Sequence, residues 1–292
     1  MKKLKWMALA ASAAMLTAGV YSCKGVKDAK DNISSAQDFT SAETEFSGTF
    51  DISDDLAQTE GKIKKGGTGI LPSGAVLTWI DSTFLDGDGV DFSVDFGALG
   101  TTAPKGMLCN DGKYRSGVVH YSLTKRYSEI GASLTISVDA ADKFYTGDGT
   151  NMFNLSGSLN VTRSALDSVN ITMSNGKLVD PDGKTLQFQG SKAIKVISGL
   201  MTPGIWGDEY RITGSGSGVN REGDSYTWAI TTPLIKKLDA GCARTFIVGV
   251  IEVQNTTAST SLKVDFDPYK NKACDRIAKA IIGSREFIFT VR

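Results

Sequence analysis

The residues able to do chemistry in this 292-residue chain are few and scattered. The single histidine, His120, sits in "GVVHYSL". It alternates with Val118 and Ser122, while Val119, Tyr121 and Leu123 take the other strand face. With no carboxylate or Cys near it in sequence, it lacks the partners of a Ser-His-Asp relay or of a common zinc site. The stretch "DSTFLDGDGVDF" gathers Asp81, Asp86, Asp88 and Asp91. Oxygen ligands on a glycine-rich turn are what calcium needs, so Asp86, Asp88 and Asp91 form a calcium candidate. Counted from Asp86, however, the twelfth position is Gly97 rather than the Glu of an EF-hand loop, which favours a plain turn with solvated carboxylates. "TPGIWGDEY" and "REGDSYTW" place aromatic residues beside acids. Trp206, Tyr210 and Trp228 read as a glycan platform, and Asp208 and Glu209 as the carboxylates of an alternative hydrolase. "TGSGSG" at 213–218 has no helix after it, so it is a bulged strand or a turn and not a phosphate loop. No motif calls for a cofactor.

The N-terminus carries a different kind of chemistry. Lys2, Lys3 and Lys5 precede a short apolar run, Met7 to Val20, which meets Val20-Tyr21-Ser22-Cys23. A small residue just before a Cys resembles the lipobox of bacterial lipoproteins. The resemblance implies cleavage before Cys23 and lipidation of its thiol, with residues 1–22 as signal peptide and an outer-membrane address. The run is too short and alanine-rich to span a bilayer well. Loss of residues 1–22 removes three lysines and no acid, leaving 29 bases against 32 acids. Such a balance argues against nucleic acid as a partner. Three cysteines then remain in an oxidising compartment, Cys109, Cys242 and Cys274. One disulfide and one free thiol are expected. Cys242 with Cys274 comes first, since the two flank a hairpin of 244–253 and 260–266; Cys109 with Cys274 is the other option.

These residues must be carried by recognisable elements. Residues 23–35 are polar and read as a tether. Across 36–60, Phe39, Ala42, Phe46 and Phe50 recur at helical spacing, with Leu56 and Ala57 extending the stripe. The expectation is an amphipathic helix, aromatic side on a sheet, acidic side in water. From residue 68 to 292 the period becomes two: Val90, Phe92, Val94 and Phe96; Leu134, Ile136 and Val138; Val169, Ile171 and Met173; Leu262, Val264 and Phe266. These are half-buried antiparallel strands. "SNGK" (174–177), "PDGK" (181–184) and "REGD" (221–224) read as tight hairpins, and 244–253, apolar on both faces, as the most buried strand. The fold class is therefore mainly β, an antiparallel meander, curved sheet or sandwich with one N-terminal helix. Most runs are shorter than the roughly 9–11 residues of a membrane-spanning barrel strand.

Two segments echo one another, "VDFSVDFGALGTTAPKGMLCNDGKYRSG" (90–117) and "SLKVDFDPYKNKACDRIAKAIIG" (261–283). Each reads as a strand-loop-strand corner with a Cys at the loop exit and an Asp capping the turn. Together with the lipobox and the acidic Phe-bearing helix, the Cys-x-Asp-Gly-x-x-Arg-x-Gly element at Cys109–Gly117 and the closing Asp-Phe…Cys-Asp element are similar to a group of uncharacterised secreted lipoproteins of Bacteroidetes. The resemblance implies a β-rich surface or outer-membrane lipoprotein and transfers no catalytic residue. The expectation is a non-enzymatic envelope lipoprotein, anchored in the membrane by lipid, with a glycan or an envelope protein as partner. The alternatives are a glycan-binding accessory protein of nutrient uptake and the carboxylate hydrolase.

Overall fold

A computed structural model describes residues 38–57, 69–200, 205–239, 241–243, 245–257 and 259–291. The signal peptide, Cys23 and the tether lie outside the described residues, as do the ends of the 36–60 segment. One helix, α1 (38–57), precedes sixteen strands of a single antiparallel sheet that does not close on itself. In chain order these are β1 (Val76–Asp81), β2 (Val90–Asp95), β3 (Met107–Leu108), β4 (Tyr114–Ser116), β5 (Val118–Leu123), β6 (Ser133–Val138), β7 (Tyr145–Gly147) and β8 (Met152–Ala165). They continue as β9 (Ser168–Val179), β10 (Thr185–Ser198), β11 (Glu209–Val219), β12 (Ser225–Lys237), β13 (Val248–Asn255), β14 (Thr260–Asp265), β15 (Ile277–Ile282) and β16 (Arg285–Thr290). The order across the sheet is β1-β2-β5-β6, then β8 through β16 in sequence, with β3, β4 and β7 as a small side branch. Near-neighbour pairing throughout makes this a meander, the arrangement short hairpin loops favour.

The strands alternate as their sequence pattern dictates. Phe92 and Val94 are buried while Asp91 and Asp95 are exposed, and Leu134, Ile136 and Val138 are buried on β6. The dry faces of the central strands point to the side where α1 lies. All twenty of its positions are buried. A single sheet can cover every side of a helix only by curling round it, so the structure is a curved sheet, not a sandwich. The Phe39–Phe46–Phe50 stripe does face the sheet: Phe39 and Phe46 meet Phe188 with ring centroids 5.6 and 5.5 Å apart, and Phe188 stacks on Trp228 at 5.2 Å. The expected wet acidic side does not exist, because the sheet wraps that side too. The helix is thus not an amphipathic helix at a surface.

Several local expectations are corrected. "SNGK" is not a hairpin; it lies within β9, where Asn175 takes a φ of 53° and β9 bulges against β10. "PDGK" and "REGD" do turn the chain, Asp180 and Asn220 each accepting the amide of a glycine three residues on. The 244–253 segment is not buried on both faces: β13 alternates, and the deeply buried Phe246 and Ile247 precede it. The 213–218 stretch is a bulged strand inside β11, with the register shifting between Ile212 and Ser215. Its glycines make room for aromatic rings: a Cβ at Gly216 would lie 2.7 Å from the Trp228 ring, and one at Gly218 would lie 2.4 Å from the Tyr226 hydroxyl. Strands β8 to β12 run 11–14 residues, longer than the runs legible in sequence, because Gly- and Ser-bearing bulges join them.

Candidate functional site: an acidic helix clasped by the sheet

Helix α1 carries six acids, Asp38, Glu43, Glu45, Asp51, Asp54 and Asp55, and no Lys or Arg. A solvated helix would offset such charge with partners three or four residues away. Here the partners come from the sheet. Glu43 pairs with Lys192 of β10 at 2.6 Å. Glu45 pairs with Lys113 at 3.0 Å and accepts the Thr146 hydroxyl of β7 at 2.7 Å. Asp51 pairs with Lys236 of β12, and Asp38 with Arg221 in the β11–β12 turn. Asp54 accepts the Tyr127 hydroxyl at 2.8 Å and the Tyr210 hydroxyl at 3.2 Å. Asp55 accepts the amide of Ile70 at 2.9 Å. Glu43 and Glu45, about 200° apart on the helix, reach opposite walls.

The walls are built for these contacts. Asp111 and Arg115 form a bidentate pair at 2.8 and 2.6 Å, both side chains buried. That pair holds the β3–β4 turn and aims Lys113 at the helix, where its Nζ also donates to the Thr44 carbonyl at 3.1 Å. Gly48 admits these heads, since a Cβ there would meet the Lys113 Nζ at 3.2 Å and Arg115 at 3.4 Å. Lys192 also lies over the Phe188 and Trp228 rings, 5.8 Å from each centroid.

Burial sets the electrostatics. Desolvation pushes the carboxyls of Asp38 and Asp51 up against the pull of Arg221 and Lys236, and raises Asp54 to about 6. Burial pushes Lys113 down, opposed by Glu45. Asp111 is also desolvated, but the Arg115 fork holds it below the usual carboxylate range. Slipping α1 by one turn would displace each acid by about 5.4 Å from its partner, so the set of contacts as a whole favours one depth and one rotation.

The residues singled out for chemistry fare differently. Tyr210 and Trp228 are 3% and 2% exposed, facing α1, and Trp206 packs half-buried against the core. The glycan platform is therefore overturned: strand alternation turns two of its three rings inward. Asp208 is buried and receives the Tyr210 hydroxyl at 3.2 Å, while Glu209, the next residue along, is half-buried at the start of β11. Asp81, Asp86 and Asp88 bring carboxylate oxygens within 4.8 Å of one another on an exposed loop; Asp81 stands in the group where Asp91 was expected. The Asp86 hydrogen bond raises the Asp88 carboxyl. His120, which lacks a carboxylate in sequence, has Asp142 at 3.2 Å, folded back by a turn of 3-10 helix at Ala140–Asp142. Cys242 and Cys274 sit at disulfide distance, Cα atoms 4.8 Å apart, and Cys109 is free and buried.

Sequence reasoning missed the cations of the clasp. The signal was there: Lys192 shares its inward phase with Ile194, and Lys236 with Leu234, so each is a charge written where the alternation demands an apolar residue. No protein-family profile, curated protein or solved structure matches this chain.

Proposed function

We propose that the protein is a non-enzymatic envelope lipoprotein in which the clasped helix couples an N-terminal lipid anchor to a rigid β domain. The observation that carries this reading is the clasp itself. The concave face, where a curved sheet would hold a cargo or a cleft, is filled by the chain's own helix, locked by four ion pairs, three of them with both partners buried. Fourteen residues lie between Cys23 and the first described residue of the helix, Asp38. A pull on a lipidated Cys23 would therefore be borne by the interior of the sheet instead of a fraying end. Lipidation of Cys23 and an outer-membrane location rest on the signal sequence. Metabolic labelling with an alkyne fatty acid, followed by membrane fractionation, tests the anchor. Acylated wild type in the outer membrane and unacylated Cys23→Ala elsewhere is the expected result; equal labelling of both would overturn it.

A further inference from the structure

The open sheet ends in two edge strands, β1 and β16, and the two edges are built differently. A free edge presents the N–H and C=O groups of alternate residues, which pair with a strand laid beside them unless charge, proline or a cover prevents it. β16 opens with Arg285 and Glu286, and Lys279 of β15 pairs with Glu286 at 3.1 Å. Charge guards that edge. β1 reads Val76-Leu77-Thr78-Trp79-Ile80-Asp81, with no lysine or proline and its one charge at the far end. Among the described residues its backbone is bonded to β2 alone. Eleven large apolar side chains are exposed among the described residues, and four of them, Val76, Trp79, Ile80 and Leu85, fall on this strand and the loop after it. Ile80 is 70% and Leu85 97% exposed. On the inner side of the edge, the Trp79 ring lies 5.1 Å from that of Phe92 and borders, with Phe84, Leu85, Val90 and Leu123, a hollow of about 520 Å³. An apolar cluster of this kind marks a contact surface.

We infer that β1 is a dimerisation edge, pairing antiparallel with β1 of a second copy about a two-fold axis at Thr78. The backbone fixes the class of partner. Open ladder groups beside an apolar hollow take an extended strand, whose main chain bonds to the edge while alternate side chains meet the hollow. Charge removes a membrane as occupant: Asp81, Asp86, Asp88 and Asp91 flank the patch with carboxylates, where a bilayer surface favours lysine and arginine. The strand that fits is β1 itself. Directly opposed residues share a face. Leu77 and Trp79 lie on the inner face, beside Val94 and Phe92 of β2, while Val76 and Thr78 lie on the outer, beside Asp95 and Ser93. Centring the pair on Thr78 keeps each residue on its own face: Thr78 meets the partner's Thr78, Leu77 the partner's Trp79, and Val76 the partner's Ile80. No charge opposes a charge. The bulge between Trp79 and Asp81 leaves Val76–Trp79 regular, and the two copies of Asp81 end about 20 Å apart, beyond the screening length of about 10 Å in 0.1 M salt. A self-complementary edge closes with two copies and does not propagate. Six residues a side make an interface below the roughly 1,200 Å² of a stable complex, so the association is weak and concentration-dependent. None of this depends on the anchor.

The test is sedimentation velocity of residues 23–292 carrying Cys23→Ala, and so unacylated, from about 5 to about 500 µM. A reversible monomer–dimer equilibrium is expected. Thr78→Lys with Ile80→Lys sets ammonium groups along the seam at exposed positions and should weaken the dimer roughly tenfold or more, with an unchanged urea midpoint. Cross-linking reads the register. Thr78→Cys stands opposite its own copy with Cβ atoms about 5 Å apart and should give a disulfide-linked dimer on mild oxidation. Val76→Cys lies about 14 Å from its copy and should not. Cys109 is buried, so the parent protein should stay unlinked. A monomer at every concentration, a dimer indifferent to the two lysines, or a link that forms at Val76→Cys as readily as at Thr78→Cys would each overturn the proposal. None of these outcomes touches the acylation result.

Discussion

The Glu43–Lys192 pair offers the sharpest test of the clasp. Glu43 is fully buried and Lys192 is 6% exposed in its side chain, with the nitrogen 2.6 Å from the carboxylate and 5.8 Å from the centroids of two aromatic rings. Glu43→Ala removes one partner and leaves an ammonium in the core with no counter-charge. Breaking a buried pair in this way costs about 3–5 kcal/mol, a large part of the stability of a domain this size. Glu43→Gln keeps a hydrogen-bond acceptor for Lys192 and should cost less. The double substitution Glu43→Leu with Lys192→Met removes both charges and restores apolar contact, so it should lie within about 1 kcal/mol of wild type or above it. Urea unfolding followed by tryptophan fluorescence reads all three, since Trp228 stacks on Phe188 beside Lys192. A single Glu43→Ala cost below about 1 kcal/mol, the range of exposed pairs, would refute the claim that the charges are buried against each other. So would a double variant no more stable than Glu43→Ala.

Other outcomes follow from the same structure. Burial raises the folded Asp54 carboxyl from 3.8 to about 6. The folded protein therefore holds this proton more tightly than the unfolded chain, and stability from this site falls as pH rises from about 4 to 6, then levels. Asp54→Asn should thus gain up to roughly 3 kcal/mol over wild type at pH 7.5 and little at pH 4; a difference independent of pH would rule this out. Reducing or mutating Cys274→Ser opens a link of 32 residues and should lower stability by about 3–4 kcal/mol by loop entropy, read from melts with and without reductant. Gly216→Ala, which would press a Cβ to 2.7 Å from the Trp228 ring and 2.1 Å from the Gln189 carbonyl, should destabilise by about 1–3 kcal/mol and shift the tryptophan emission; an unchanged midpoint would show that the ring is free to move.

Much of the architecture was legible from local physics. Period-two alternation located the strands and their dry faces, and helical spacing of Phe39, Ala42, Phe46 and Phe50 located α1 and the side it turns to the aromatic cluster. Adjacency across the 244–266 hairpin put Cys242 with Cys274 first. What failed did so for one reason. Alternation says that a strand has two faces, but not which charges lie on the inner one, so Tyr210 and Trp228 read as a surface platform and Lys192 and Lys236 were passed over. Likewise the 174–177 turn signal was genuine in its φ angle, yet β10 pairs straight across it, making a bulge of a predicted hairpin.

By itself, then, the sequence located the helix and most of the strands and ranked Cys242–Cys274 ahead of Cys109–Cys274, because each of these depends on residues close along the chain or on an intrinsic period. Whether the sheet lay flat over the helix or curled round it depended on how twist and the register shifts within β9 and β12 add up across many strands, a long-range quantity that no local window contains. That curvature turned six helix acids from a wet face into the interior, and only there did Lys113, Lys192, Lys236 and Arg221 become their partners.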